Sequence, residues 1–201
     1  MSTRTVRLLV ASAALMFAAT CAMVPAFADS GRYAFDLHRS HMTVYVYKGG
    51  VFSFAADNHE IEAPIVSGSF DETKNVVEVT VDSTKMKVLD PKLAADRRAS
   101  VQANMSGSGV LDSEKYPTIV FHSSSVHLDG HGHGSITGDL TLRGQTHAIV
   151  VDLTRADATH FSGSSMVRQS SFGITPIRIM GGAVTVKDDI KVIFDIYLEV
   201  K

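Results

Sequence analysis

The stretch VVEVTVD, Val76 to Asp82, alternates Val77, Val79 and Val81 with Glu78, Thr80 and Asp82. That period of two constrains the chain more than any other feature. Only an extended strand sends successive side chains to opposite faces, so the segment reads as part of a sheet with one apolar and one wet side. The pattern recurs. Ile136 to Arg143 sets Ile136, Leu140 and Leu142 against Thr137, Asp139, Thr141 and Arg143. Ala148 to Thr154 and Lys191 to Val200 read as further long strands. Met42 to Tyr47, Thr118 to Ser123 and Val184 to Lys187 read as shorter ones, and Met166 to Ile174 as a weaker one.

One region favours a helix. Asp90-Pro91 offers an N-cap followed by proline at the first helical position, and KLAADRRASVQANM places Leu93, Val101 and Met105 on one stripe before Gly107 and Gly109. Neither a repeat nor a low-complexity linker divides the chain, so residues 29–201 read as one domain. Many strands, short turns and one helix suit a sandwich or an antiparallel barrel, and a barrel removes exposed strand edges. A single layer of about eight strands either fills its interior with side chains or surrounds a ligand.

Residues 1–28 read as a cleaved signal peptide. Arg4 and Arg7 precede an alanine-rich apolar run from Leu8 to Val24, and Ala26-Phe27-Ala28 has the small-x-small form of a cleavage site. The run is short for a membrane anchor and stops at Pro25. Cys21 follows Ala18-Ala19-Thr20, which lacks the usual lipoprotein pattern. The expectation is a soluble protein exported to the periplasm, without a stable membrane anchor. The only cysteine leaves with the signal, so the mature chain carries no disulfide or thiol chemistry. Losing Arg4 and Arg7 takes the formal charge from −2 to −4, and no basic run remains to bind nucleic acid.

GDLTLRGQTH, residues 138–147, crowds Thr141, Arg143, Thr146 and His147 between glycines and could pass for a reactive loop. The alternation runs into Arg143, pauses at Gly144-Gln145 and resumes with Ile149 and Val151. It reads as a hairpin in which Gly144 supplies a positive φ and Arg143 faces solvent. This hairpin resembles that of the YceI-like family. YAFDLHRSHMTVYVYKGG resembles the family's opening, LDSEKYPTIVFHS its Tyr-Pro-x-Ile-x-Phe-x-Ser strand, and RQSSFGI its late Arg and Phe-Gly motif. The four motifs stand in the family's order over nearly the whole mature chain.

The resemblance implies an all-β, lipocalin-like antiparallel barrel with one short helix, holding a polyisoprenoid or isoprenoid-quinone-like lipid. With the alternation, it puts forward Val44, Val46, Phe52, Phe54, Val79, Ile119, Phe121 and Phe172 as ligand-binding residues. Three segments depart from the family: the opening reads Asp36-Leu37-His38-Arg39-Ser40-His41, FSFAADNHEIEAPIVSGSF replaces a glycine-rich stretch, and LDPKLAADRRASVQANM differs in the helical region.

Other chemistry finds less support. His127, His131 and His133 in HLDGHGHG offer an alternative, a metal-binding or redox accessory protein, but three glycines preorganise nothing there. His59-Glu60 lacks the second histidine of a metalloprotease helix, since position 63 is alanine. No serine stands in G-x-S-x-G. Arg97 and Arg98 could meet an anionic head group or simply face water. The sequence thus points to a binding protein rather than an enzyme, with an apolar small molecule as partner and neither cofactor nor metal. N-terminal sequencing of exported material is expected to begin at Asp29; a retained N-terminus or a lipid on Cys21 would contradict the signal-peptide reading.

Overall fold

Alternation becomes ladder in the computed structural model, which describes residues 31–51 and 58–200. Residues 1–28, Phe52 and Phe54 therefore lie outside the described residues. The strands in chain order are β1 (Arg32–Ala34), β2 (His41–Val46), β3 (Lys48–Gly49), β4 (His59–Glu62), β5 (Ile65–Asp71), β6 (Val76–Asp82) and β7 (Lys87–Val88). Helix α1 (Ala95–Ser106) follows, then β8 (Thr118–Leu128), β9 (His133–Leu142), β10 (Gln145–Arg155) and β11 (His160–Arg168). The short strands β12 (Arg178–Ile179) and β13 (Val184–Val186) precede β14 (Asp189–Tyr197). Every pairing is antiparallel. Eleven strands form one sheet in the order β1-β5-β6-β8-β9-β10-β11-β14-β2-β4-β7, and β12-β13-β3 form a small second one.

The strand count exceeds the expected eight because three strands are interrupted. β2 pairs with β14, and Phe35, just after β1, bridges Leu198, just after β14, so β1 and β2 form one strand interrupted at residues 36–40. There Asp36 Oδ1 accepts the amides of His38 and Arg39, and the buried Ser40 takes the Tyr197 amide on its Oγ at 2.9 Å. The polar residues of the opening motif thus tie off a break in the strand. β4 and β5 are likewise one strand interrupted at Ala63-Pro64, and β7 continues β6 along β4. Counted by position, the ladder has eight places. It closes where Phe35 bridges Leu198, with Asp36 N donating to Tyr197 O (2.7 Å) and Glu199 N to Ala34 O (2.9 Å).

Four local expectations are corrected. The hairpin turn is Arg143-Gly144, since Leu142 pairs with Gln145; both turn residues have positive φ (52° and 71°), the geometry that matches strand twist. Arg143 does not point into water, because its guanidinium donates to Gly173 O and Ser108 O, pinning the hairpin to two loops. Asp90 is not the helix cap: its buried carboxylate accepts the Glu60 amide at 2.8 Å and meets His59 Nδ1 at 2.6 Å, and α1 starts at Ala95 without a side-chain cap. The strand expected over Met166 to Ile174 ends at Arg168, where residues 169–172 wind into a 3-10 turn that buries Phe172.

Glycines on the inner face shape the interior. A Cβ on Gly68 would lie 2.6 Å from Phe35 Cε2, one on Gly138 2.6 Å from Phe121 Cζ, and one on Gly163 2.5 Å from Phe194 Cζ. In each case a ring atom of the neighbouring strand's Phe occupies space that a side chain on the glycine would need. At Gly68 the three nearest obstacles are all Phe35 ring atoms. Gly68→Ala is expected to cost about 1–3 kcal/mol by forcing that ring from its place. Thermal melts should show a smaller cost for the same change in a Phe35→Leu background; an equal cost in both backgrounds would contradict this packing.

Candidate functional site: an unfilled barrel

The inward rows do not fill the space they enclose. A cavity of about 660 Å³ runs through the barrel, within the range of about 300–1,000 Å³ usual for small-molecule sites. Its wall is overwhelmingly apolar, and β6 contributes Val77, Val79 and Val81. Along β8 the wall extends from Ile119 to Leu128, roughly 30 Å of strand at about 3.3 Å per residue. β8 outlasts its expected end at Ser123 because of a bulge between Ser123 and Ser125. The bulge moves the inward row from Ile119, Phe121 and Ser123 to Val126 and Leu128, which hides the alternation from a simple reading. Ser123 itself is 1% exposed, and its Oγ accepts the Val77 amide at 2.7 Å.

The two ends differ. At one, Met105 of α1, Leu111 and Ile174 close over the lumen as part of the main buried cluster, with Gln169 beside them donating to Lys187 O. At the other, the inward rows end on Tyr33, Glu72, Asn75, Arg155 and Thr159, from β1, the end of β10 and two hairpin turns. Tyr33 donates to Glu72, and Asn75 Nδ2 to Val126 O at 2.9 Å.

Of the ligand-binding residues read from the sequence, Val44, Val46, Val79, Ile119 and Phe121 stand on this wall. Phe172 does not: the 3-10 turn packs it in the core, 1% exposed and edge-on to His147 with centroids 5.1 Å apart. Sequence reading missed the rim residues and the aromatics Phe161 and Phe194. A strand alternation followed one residue further, into Arg155, would have exposed the rim. Arg97 and Arg98 lie away from the wall, on the helix that closes the opposite end.

His127, His131 and His133 are all exposed, and among the described residues no three His, Cys, Asp or Glu side chains converge as a metal site. Asp129 organises that turn, accepting the amides of His131 (2.8 Å) and His133 (2.9 Å). Among the described residues no helix is long and apolar enough to cross a membrane.

The family model of YceI-like domains matches residues 33–198. This chain belongs to the YceI-like family. Among solved structures, BcnA of Burkholderia cenocepacia superposes with a TM-score of 0.58 at 20% identity, over 83% of this chain and 99% of that one. A polyisoprenoid binding domain from Saccharophagus degradans gives 0.55 at 12% identity, over 84% and 98%. At such identities the likeness is one of fold. The UPF0312 protein of Vibrio campbellii is 30% identical over 113 residues, 56% of this chain and 52% of its own length. That of Pseudomonas syringae pv. syringae is 34% identical over 80 residues, 35% and 42%. The chain spans about half the length of the curated relatives it matches.

The carboxyls of Asp129 and Asp157 near the polar rim are held below their ordinary value of 3.8, the first mainly by the His133 amide and the second mainly by the Thr159 amide. Both bind protons more weakly folded than unfolded. Their contribution is therefore full above the unfolded value and fades as pH falls through the lower folded one. Melting temperatures are expected to fall as pH drops below about 4, and Asp157→Asn should flatten part of that slope; an unchanged slope would remove Asp157 from the account.

Proposed function

We propose that this protein is a periplasmic carrier that holds a long apolar molecule, a polyisoprenoid or isoprenoid-quinone-like lipid, inside its barrel. The single observation that carries the reading is the apolar lumen that the inward side chains leave unfilled. Binding would work by burial alone. Each CH₂ removed from water contributes roughly 0.8 kcal/mol, so a few isoprene units offset the cost of immobilising the chain. The length of wall along β8 favours an extended molecule over a compact one. The Saccharophagus degradans domain of similar fold is called polyisoprenoid binding, which supports the same ligand class here. Export through a cleaved signal, with cleavage before Asp29, completes the proposal.

Mass spectrometry of an organic extract of the purified protein is expected to find an isoprenoid lipid. Phe121 provides the direct test, because its ring lines the lumen across Gly138. A buried carboxylate without a partner costs several kcal/mol unless water reaches it. Once delipidated, a lumen of this size admits water, so Phe121→Asp should fold with reduced stability, yet a lipid tail could not displace that water without stranding the charge. Circular dichroism on delipidated protein and titration with a short polyprenyl compound are expected to show a folded variant that no longer binds. Unchanged affinity would overturn the proposed lumen site.

A further inference from the structure

Polarity enters the inward rows at one end of the barrel. Tyr33, Glu72, Asn75, Arg155 and Thr159 continue inward rows whose preceding members, Phe35, Phe70, Val77, Leu153 and Phe161, are apolar. A molecule that is apolar throughout gains nothing from such a rim. A molecule with an apolar chain and a polar head gains a place for each.

Arg155 is the most committed of these residues. It is the last residue of β10 and points inward as Leu153 and Val151 do. Its amide donates to Gly132 O at 2.7 Å, tying it to the neighbouring turn. The side chain donates through Nε to Asp157 O at 3.0 Å and lies over the Phe161 ring, 5.8 Å from the centroid. These contacts orient the guanidinium but leave Nη1 and Nη2 without a partner among the described residues. Two donors are thus held at the mouth of an apolar lumen.

The charges around the rim limit what those donors accept. Glu72 sits on the β5–β6 turn, Asp129 on the β8–β9 turn and Asp157 on the β10–β11 turn, while Lys74 is paired with Asp71 at 3.4 Å. One guanidinium therefore faces a rim that is negative on balance. A diphosphate head would meet repulsion as it approached, whereas an uncharged oxygen would not.

We infer that Arg155 donates to the polar head of the bound molecule, an uncharged carbonyl- or hydroxyl-bearing group, while the apolar chain runs from the rim toward Met105. This rests on the lipid-binding reading and adds the ligand's direction and the chemistry of its head. The test compares three probes on the delipidated full chain by displacement of an environment-sensitive fluorophore: a short-chain prenylated benzoquinone, squalene, and geranylgeranyl diphosphate. Wild-type protein is expected to bind the quinone more tightly than the diphosphate at low salt. Arg155→Ala should weaken quinone binding about tenfold, the effect of losing one charge-assisted hydrogen bond, and leave squalene unchanged. Arg155→Gln, which keeps a donor, should recover part of the loss. An equal effect of Arg155→Ala on quinone and squalene, or none on the quinone, overturns the role of Arg155. Tighter binding of the diphosphate overturns the uncharged head. Failure of all three probes on wild-type protein overturns the lipid-binding reading itself, and this inference with it.

Discussion

A sheet that closes on itself confronts its inner face with a volume it must either fill or keep, and most of this molecule follows from keeping it. The inward rows carry Val, Ile, Leu and Phe, residues bulky enough to fill a small barrel, yet a lumen of about 660 Å³ survives. Glycine makes the difference. Gly68, Gly138 and Gly163 carry no side chain where atoms of the Phe35, Phe121 and Phe194 rings approach, so those rings take room on the wall that a Cβ would otherwise claim. The wall is thereby smooth and apolar while the centre stays empty. A protein built this way forgoes dispersion contacts that a filled core would supply, and a ligand of matching shape restores them.

The two ends then take different work. α1, Leu111 and Ile174 complete the main buried cluster at one end and supply the packing that the hollow middle cannot. Hairpin turns form the other, and their residues need only be compatible with turning. Asp129 and Asp157 satisfy turn amides with their carboxylates, which leaves Arg155, at the adjoining strand end, oriented but not consumed. Support at one end is what permits exposure of polar donors at the other.

The sequence made the sheet legible because its physical signal is local. Val76–Asp82 was readable to the residue, and the GDLTLRGQTH stretch disclosed a hairpin. Interruptions were harder. The bulge at Ser123 reverses the parity of β8, so an alternation scored as ending there in fact continues to Leu128. Asp90-Pro91 has the composition of a helix start, but the capping oxygen is claimed by His59 and the Glu60 amide, a competition invisible without tertiary contacts. Arg143 looked solvated for the same reason, since Gly173 and Ser108 lie 30 and 35 residues away. Alternation together with the family resemblance points to five residues that stand on the wall, while Phe172 shares the composition of the wall without its place.

The bridge between Phe35 and Leu198 joins residues 163 apart in the chain. Hairpins such as β9–β10 need only a tight turn, so they can assemble early, whereas this closing contact carries one of the longest loop penalties available to the fold. By sequence separation, the pairing of β14 with β2 and this bridge are expected to form after the hairpins. Without that pairing the inward rows have no opposite wall, and the apolar face that they share is not enclosed.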